Sequence, residues 1–168
     1  MSNIKDWTKK EASMLIRLWI KTESILMVSI LMDRTPSSIQ TRALRLELPS
    51  RELEDSYRRR WTKEEDDYLF STIKKGNVNI FELSKEVKRT VDAIITRIMT
   101  KHNWKLHQIA EKLQLPDAER IYAEGPITGE KQARERHCAR CMKPFWSENF
   151  GRRVCLSCKQ TEDWQDGD

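Results

Sequence analysis

Apolar residues return at helical spacing along the first two thirds of this 168-residue chain. Leu15, Leu18 and Trp19 share one face of a 3.6-residue period, and Thr8 with Glu11 three places on has the spacing of a capping box. A helix ending near Lys21 is predicted. The run Ile25 to Met32 leaves little polar face, as a middle helix buried in a packed unit requires. Thr35 then caps a third helix with Pro36 in its first turn, where a missing N–H costs nothing. That helix continues through Ile39, Ala43 and Leu46 to Pro49.

The pattern repeats. Trp7-Thr8-Lys9-Lys10-Glu11 returns as Trp61-Thr62-Lys63-Glu64-Glu65, and Asp33 to Leu44 is answered by Lys88 to Met99. The offset grows from 54 to 55, which places one inserted residue in the Gly76-Asn77 turn. In the second copy Thr62 and Glu65 open helix one, Leu69 and Ile73 point inward, and Gly76 ends it. Ile80 to Val87 supplies the middle helix, and Thr90 caps a third with a wider apolar stripe of Val91, Ile94, Ile95, Ile98 and Met99. Units this small have thin cores, so Trp7 and Trp61 are expected to anchor helix one against helix three. Trp104 to Leu115 reads as an additional amphipathic helix that packs on the second copy and stops at Pro116.

A capped third helix in a short three-helix unit can lie in a major groove. In the first copy Ser37, Ser38, Gln40, Thr41, Arg42 and Arg45 fall on or near the side away from the apolar stripe, and their groups suit base edges and phosphates. In the second, Arg89, Thr96, Arg97 and Lys101 are candidates for backbone contact, or the extra apolar surface serves packing. Arg51 and the run Arg58, Arg59, Arg60 make a basic connector that is either a solvated link or a phosphate-tracking arm.

Trp7-Thr8, Leu18-Trp19 and the stretch Ile39 to Arg51 resemble the helix-turn-helix of GcrA-type bacterial cell-cycle regulators. Arg60-Trp61-Thr62-Lys63-Glu64-Glu65-Asp66 resembles the opening of a Myb/SANT repeat, although Ile39 and Ile94 stand where later Myb tryptophans would be. The resemblance spans residues 5–102. It implies DNA binding and, for the GcrA type, engagement of RNA polymerase through its sigma factor.

All four cysteines fall within 21 residues, as Cys138-x-x-Cys141 and Cys155-x-x-Cys158 separated by thirteen residues. Two such knuckles aim four thiolates at one point, the ligand set of a structural zinc ion. Redox dithiol, disulfide and iron–sulfur readings remain as alternatives. Lys143 to Ser147 and Arg152 to Val154 read as strands about a turn at Asn149 to Gly151. The segment resembles the short zinc fingers at the ends of bacterial and phage regulators. Arg140, Lys143, Arg152, Arg153 and Lys159 make it basic, suited to phosphate or to a protein partner.

The total charge is +5 with a pI near 9.1, a modest excess that position rather than sum must interpret. With 34% charged residues and no long apolar run, a soluble cytoplasmic protein of a bacterium or an infecting phage is expected, with no membrane partner. The fold expected is mainly α: two tandem three-helix units at 5–50 and 61–115, joined by the connector 51–60. A linker at 116–136, a β-hairpin zinc finger with four cysteine ligands at 137–160 and an acidic tail at 161–168 complete it. No Gly-rich phosphate loop or nucleophile elbow is present, so no catalytic residues are assigned. The function expected is a sequence-specific double-stranded DNA-binding transcriptional regulator. The alternatives are an adapter for RNA polymerase, sigma factor or a phage assembly component, and a zinc-stapled nuclease.

Overall fold

The computed structural model describes residues 6–50, 59–127 and 133–161. Among these are nine helices and one two-stranded antiparallel hairpin beside the cysteines, so the architecture is mainly α. Arg51, Arg58 and the end of the acidic tail lie outside the described residues. No helix among those described is long and apolar enough to cross a membrane.

The two copies agree down to their hydrogen bonds. Helices α1 (Lys9–Thr22) and α4 (Lys63–Lys75) each open on a reciprocal capping box: Thr8 N–H donates to Glu11 at 2.9 Å and Thr62 N–H to Glu65 at 3.0 Å. The middle helices α2 (Ile25–Met32) and α5 (Ile80–Val87) end on left-handed residues, Asp33 and Lys88. In both turns a serine closes the corner, Ser29 Oγ donating to the Arg34 carbonyl and Ser84 Oγ to that of Arg89. Third helices follow as α3 (Pro36–Arg45) and α6 (Val91–His102). Helix α3 stops short of Pro49 because Glu47 takes a left-handed conformation, its N–H bonding to Leu44 and the next N–H to Ala43. This is a Schellman end without a glycine.

Packing does not follow the repeat boundaries. Residues 6–21, 37–49, 118–127 and 133–161 form one compact unit, and 22–36, 50 and 59–117 form another. The second unit therefore contains α2, the middle helix of the first copy. Being apolar all round, α2 needs cover, and the wide stripe of α6 supplies it along one side. Met27, Leu26 and Leu31 join Leu69, Ile73, Ile80, Ile94, Ile95 and Ile98 in one core. Asp92 of α6 accepts from Ser24 Oγ and from the backbone N–H groups of Ile25 and Leu26, capping α2 with a carboxylate at its positive end. The surplus apolar surface of the second copy thus serves packing.

The expected helix from Trp104 to Leu115 is reduced to α7 (Leu106–Ala110), after which the chain turns to bridge Val78. Val78 N–H donates to the Lys112 carbonyl at 2.9 Å, and Ile109 and Leu113 still reach the core. In the first unit, the segment read as a linker carries α8 (Ala118–Ala123) and β1 (Arg134–His137). Helix α8 lies along α1: Lys10 pairs with Glu119 at 3.0 Å, Lys21 with Glu124, and Arg17 stands 4.6 Å over the Tyr122 ring. Strand β2 (Pro144–Ser147) pairs with β1 rather than with residues 152–154, so the first cysteine knuckle is the hairpin's loop. Glu135 and Trp146 stand opposite each other in this register, and both are buried.

Candidate nucleic-acid interface and metal centre

Helix α3 has two unlike faces. Ile39, Ala43 and Leu46 are buried in the first unit. Ser37, Gln40, Thr41, Leu44 and Arg45 are exposed at spacings of three and four, a single stripe on the opposite side. Ser38 and Arg42 flank it, half-buried, and the Arg42 guanidinium lies 5.7 Å from the centre of the Trp7 ring. Arg42 thus joins helix three to the tryptophan that opens helix one, leaving Arg45 as the exposed arginine of the stripe.

The second copy uses the same device more completely. Two guanidinium groups lie by the Trp61 ring, Arg89 at 4.3 Å and Arg97 at 5.7 Å from its centre. Arg97 grips Asp66 with two bonds of 2.7 and 2.6 Å, which hold the Asp66 carboxyl below its ordinary value against the opposing effect of burial. Arg89 is only 1% exposed and donates to the carbonyls of Arg59 and Arg60 at 2.6 and 2.8 Å and to Glu65 at 3.1 Å. The sequence leaves both arginines as candidates for backbone phosphate, with packing as the alternative use of this copy's surface. Arg89 is instead sealed inside the unit and Arg97 is committed to a buried acid, because a core this thin needs their stacking area. Thr96 and Lys101 are exposed on α6, and Arg60 is exposed beside Arg59, which bonds Glu65 and the Val87 carbonyl. His102 stacks on Phe70 at 3.7 Å between centroids.

The four cysteines converge. Cys138, Cys141, Cys155 and Cys158 place their sulfurs within 4.8 Å of one another, an arrangement that could hold a metal ion. The first knuckle turns through left-handed Met142, whose N–H donates to the Cys138 carbonyl at 2.9 Å. Cys155 and Cys158 bracket the start of α9 (Leu156–Lys159). Burial raises the Cys138 thiol, but N–H donors from Cys141, Cys155 and Arg140 outweigh it and bring the group down to about 6. Cys158, desolvated and facing the other sulfurs, is pushed up to about 12. A lowered Cys138 beside the raised Cys155 and Cys158 is a set in which a divalent cation can replace protons.

The finger is fixed to the first helical unit at three points. Glu135, buried, accepts from Ser13 Oγ and from Arg17 Nε at 3.2 Å on α1. Trp146 N–H donates to the Leu46 carbonyl at 3.0 Å. Glu47, just past α3, accepts from the Leu156 N–H at 2.6 Å and pairs with Arg152. A cleft of about 150 Å³ beside these bonds is lined by Arg42, Arg45, Lys143, Phe145, Cys141, Cys155 and Cys158. Sequence reasoning missed Glu47, Arg17 and Glu135. The only signal was an arginine and a glutamate isolated among residues with other business, too little to pair them. No family model, curated protein or solved structure matches the chain.

Proposed function

We propose that the chain is a sequence-specific double-stranded DNA-binding regulator of transcription that reads the major groove with α3 and acts by binding rather than catalysis. The observation that carries this reading is the exposed stripe Ser37, Gln40, Thr41, Leu44, Arg45 on a helix whose other side is buried. Arginine suits guanine, glutamine suits adenine, and an apolar side chain suits the thymine methyl. Serine at the first turn suits a phosphate. Kinship with GcrA-type regulators, and work in a bacterial or phage-infected cytoplasm, belong to the same proposal.

The metal of the finger is zinc in this reading, one ion per chain. Zinc–sulfur bonds of about 2.3 Å in a tetrahedron separate the sulfurs by about 3.8 Å, and the Cys141 and Cys155 sulfurs lie 3.8 Å apart. Four protein thiolates leave no open position, so the ion's chemistry is structural. It holds the finger that braces Leu46 and Glu47 at the end of the reading helix.

The test is selection of a duplex from a random pool, followed by anisotropy titrations of Gln40→Ala and Arg45→Ala on the selected and a scrambled duplex. Each substitution is expected to erase about 1–3 kcal/mol of discrimination. Unchanged discrimination refutes groove reading by α3. A second reading, an adapter for RNA polymerase or another protein, is favoured by Leu44, 78% exposed on the same stripe. If Leu44→Ser abolishes capture of polymerase while duplex affinity is unaltered, the adapter reading stands in place of the first.

A further inference from the structure

A β-strand turns alternate side chains to opposite faces. In β1 the residue Glu135 points into the first unit and is held by Ser13 and Arg17. Its neighbours Arg134 and Arg136 therefore project the other way. With His137, Ala139 and Arg153 they line an open cavity of about 350 Å³. Both guanidinium groups also lie by the Phe150 ring, 5.9 and 5.3 Å from its centre, and that ring is 61% exposed.

The charge of this cavity is unanswered from within. Three arginines line it, and the carboxylate of its one acidic lining residue, Glu135, is turned away into the first unit and engaged by Ser13 and Arg17. Nε and Nη2 of Arg136 are both buried with no acceptor. Buried donors without partners are rare in folded chains, and two on one charged group mark a place for an acceptor from outside. Bringing three guanidinium groups together is unfavourable until an anion joins them. An oxyanion with several acceptor oxygens matches the fork of donors, as phosphate does for arginine generally.

We infer that Arg134, Arg136 and Arg153 form a phosphate-binding pocket on the outer face of the finger, separate from the α3 stripe and independent of what that stripe reads. Phosphate reaches it from one of two sources, the backbone of a nucleic acid or a free phosphate in solution. Arg136 supplies the buried donors, Arg153 faces it from the second half of the finger, and Phe150 holds the side chains in place by stacking.

Calorimetric titration of the metal-loaded full chain with inorganic phosphate, against chloride at equal ionic strength, tests the pocket. Phosphate is expected to saturate one site, and Arg136→Gln to weaken it by about tenfold or more. Arg153→Gln, at an exposed position, gives the same direction without burdening the fold, and metal content verifies that both variants retain the finger. The log–log salt slope of duplex binding is measured alongside. A slope that falls by about 0.9 in Arg153→Gln identifies backbone phosphate; weaker inorganic phosphate with an unaltered slope identifies the free ion. Phosphate affinity and salt slope both unmoved in the two variants overturn the pocket. Failure of α3 to read DNA leaves the phosphate titration intact, so the two readings fall separately.

Discussion

Replacing Arg89 with methionine separates a stabilising arginine from a DNA-reading one. Methionine approximates the length of the arginine stem and can still touch Trp61, but it removes three charge-assisted bonds, to the Arg59 and Arg60 carbonyls and to Glu65. Leaving a buried ion without its partner costs about 3–5 kcal/mol. Here the loss is smaller, because Arg59 and Arg60 are exposed and water can reach their carbonyls, while Glu65 keeps its bonds to Thr62 and Arg59. About 3 kcal/mol is expected, which lowers Tm by roughly 6–12 °C for a chain of this size. Urea unfolding followed by tryptophan fluorescence reads it, and duplex affinity is measured where both proteins are fully folded. Arg89→Met should lose stability and keep affinity within about twofold. Arg45→Ala should do the reverse. An Arg89→Met protein as stable as the parent but unable to bind duplex refutes the assignment, since the guanidinium would then be available to a phosphate.

Stripping the metal with a strong chelator should release one zinc per chain by elemental analysis and raise hydrogen exchange over residues 134–147 and at the end of α3; unaltered exchange at Leu46 and Glu47 would show that the finger does not brace the helix. Substituting Glu47 with glycine relieves the left-handed strain but removes the acceptor for Leu156 and Arg152, so duplex affinity should fall while α3 itself is no less helical by circular dichroism. The depressed Asp66 carboxyl contributes stability that is complete above its ordinary value of 3.8 and is lost as pH falls through its lower folded value. Acid unfolding should therefore steepen below about pH 4, and Asp66→Asn should flatten that limb; identical acid profiles would mean that the Arg97 pair does not form in solution.

The helices were legible in the sequence because their signals are local. Capping boxes at Thr8 and Thr62, the stop at Gly76, and the spacing of Leu69, Ile73, Ile94 and Ile98 depend on neighbours within one or two turns, and each element appears where that spacing puts it. The cysteine cluster was legible for a related reason: two Cys-x-x-Cys knuckles leave few geometries other than convergence. What stayed hidden was every decision made by groups far apart in the chain. Whether Arg89 and Arg97 face a phosphate or a tryptophan depends on Trp61 lying beside both, and nothing within a helical turn of either residue records that. The assignment of α2 to the second unit turns on the match between its all-round apolar surface and the stripe of α6, some 60 residues away. The partner of β2 was misread because alternation shows that a strand exists without showing which edge it pairs with. Sequence alone therefore determined where the chain coils, caps and gathers its thiols, since backbone hydrogen bonding and short-range sterics act locally. Tertiary structure alone decided which arginines are enclosed and which remain for a partner, because burial is a property of the whole packed unit and side chains compete for it across the chain.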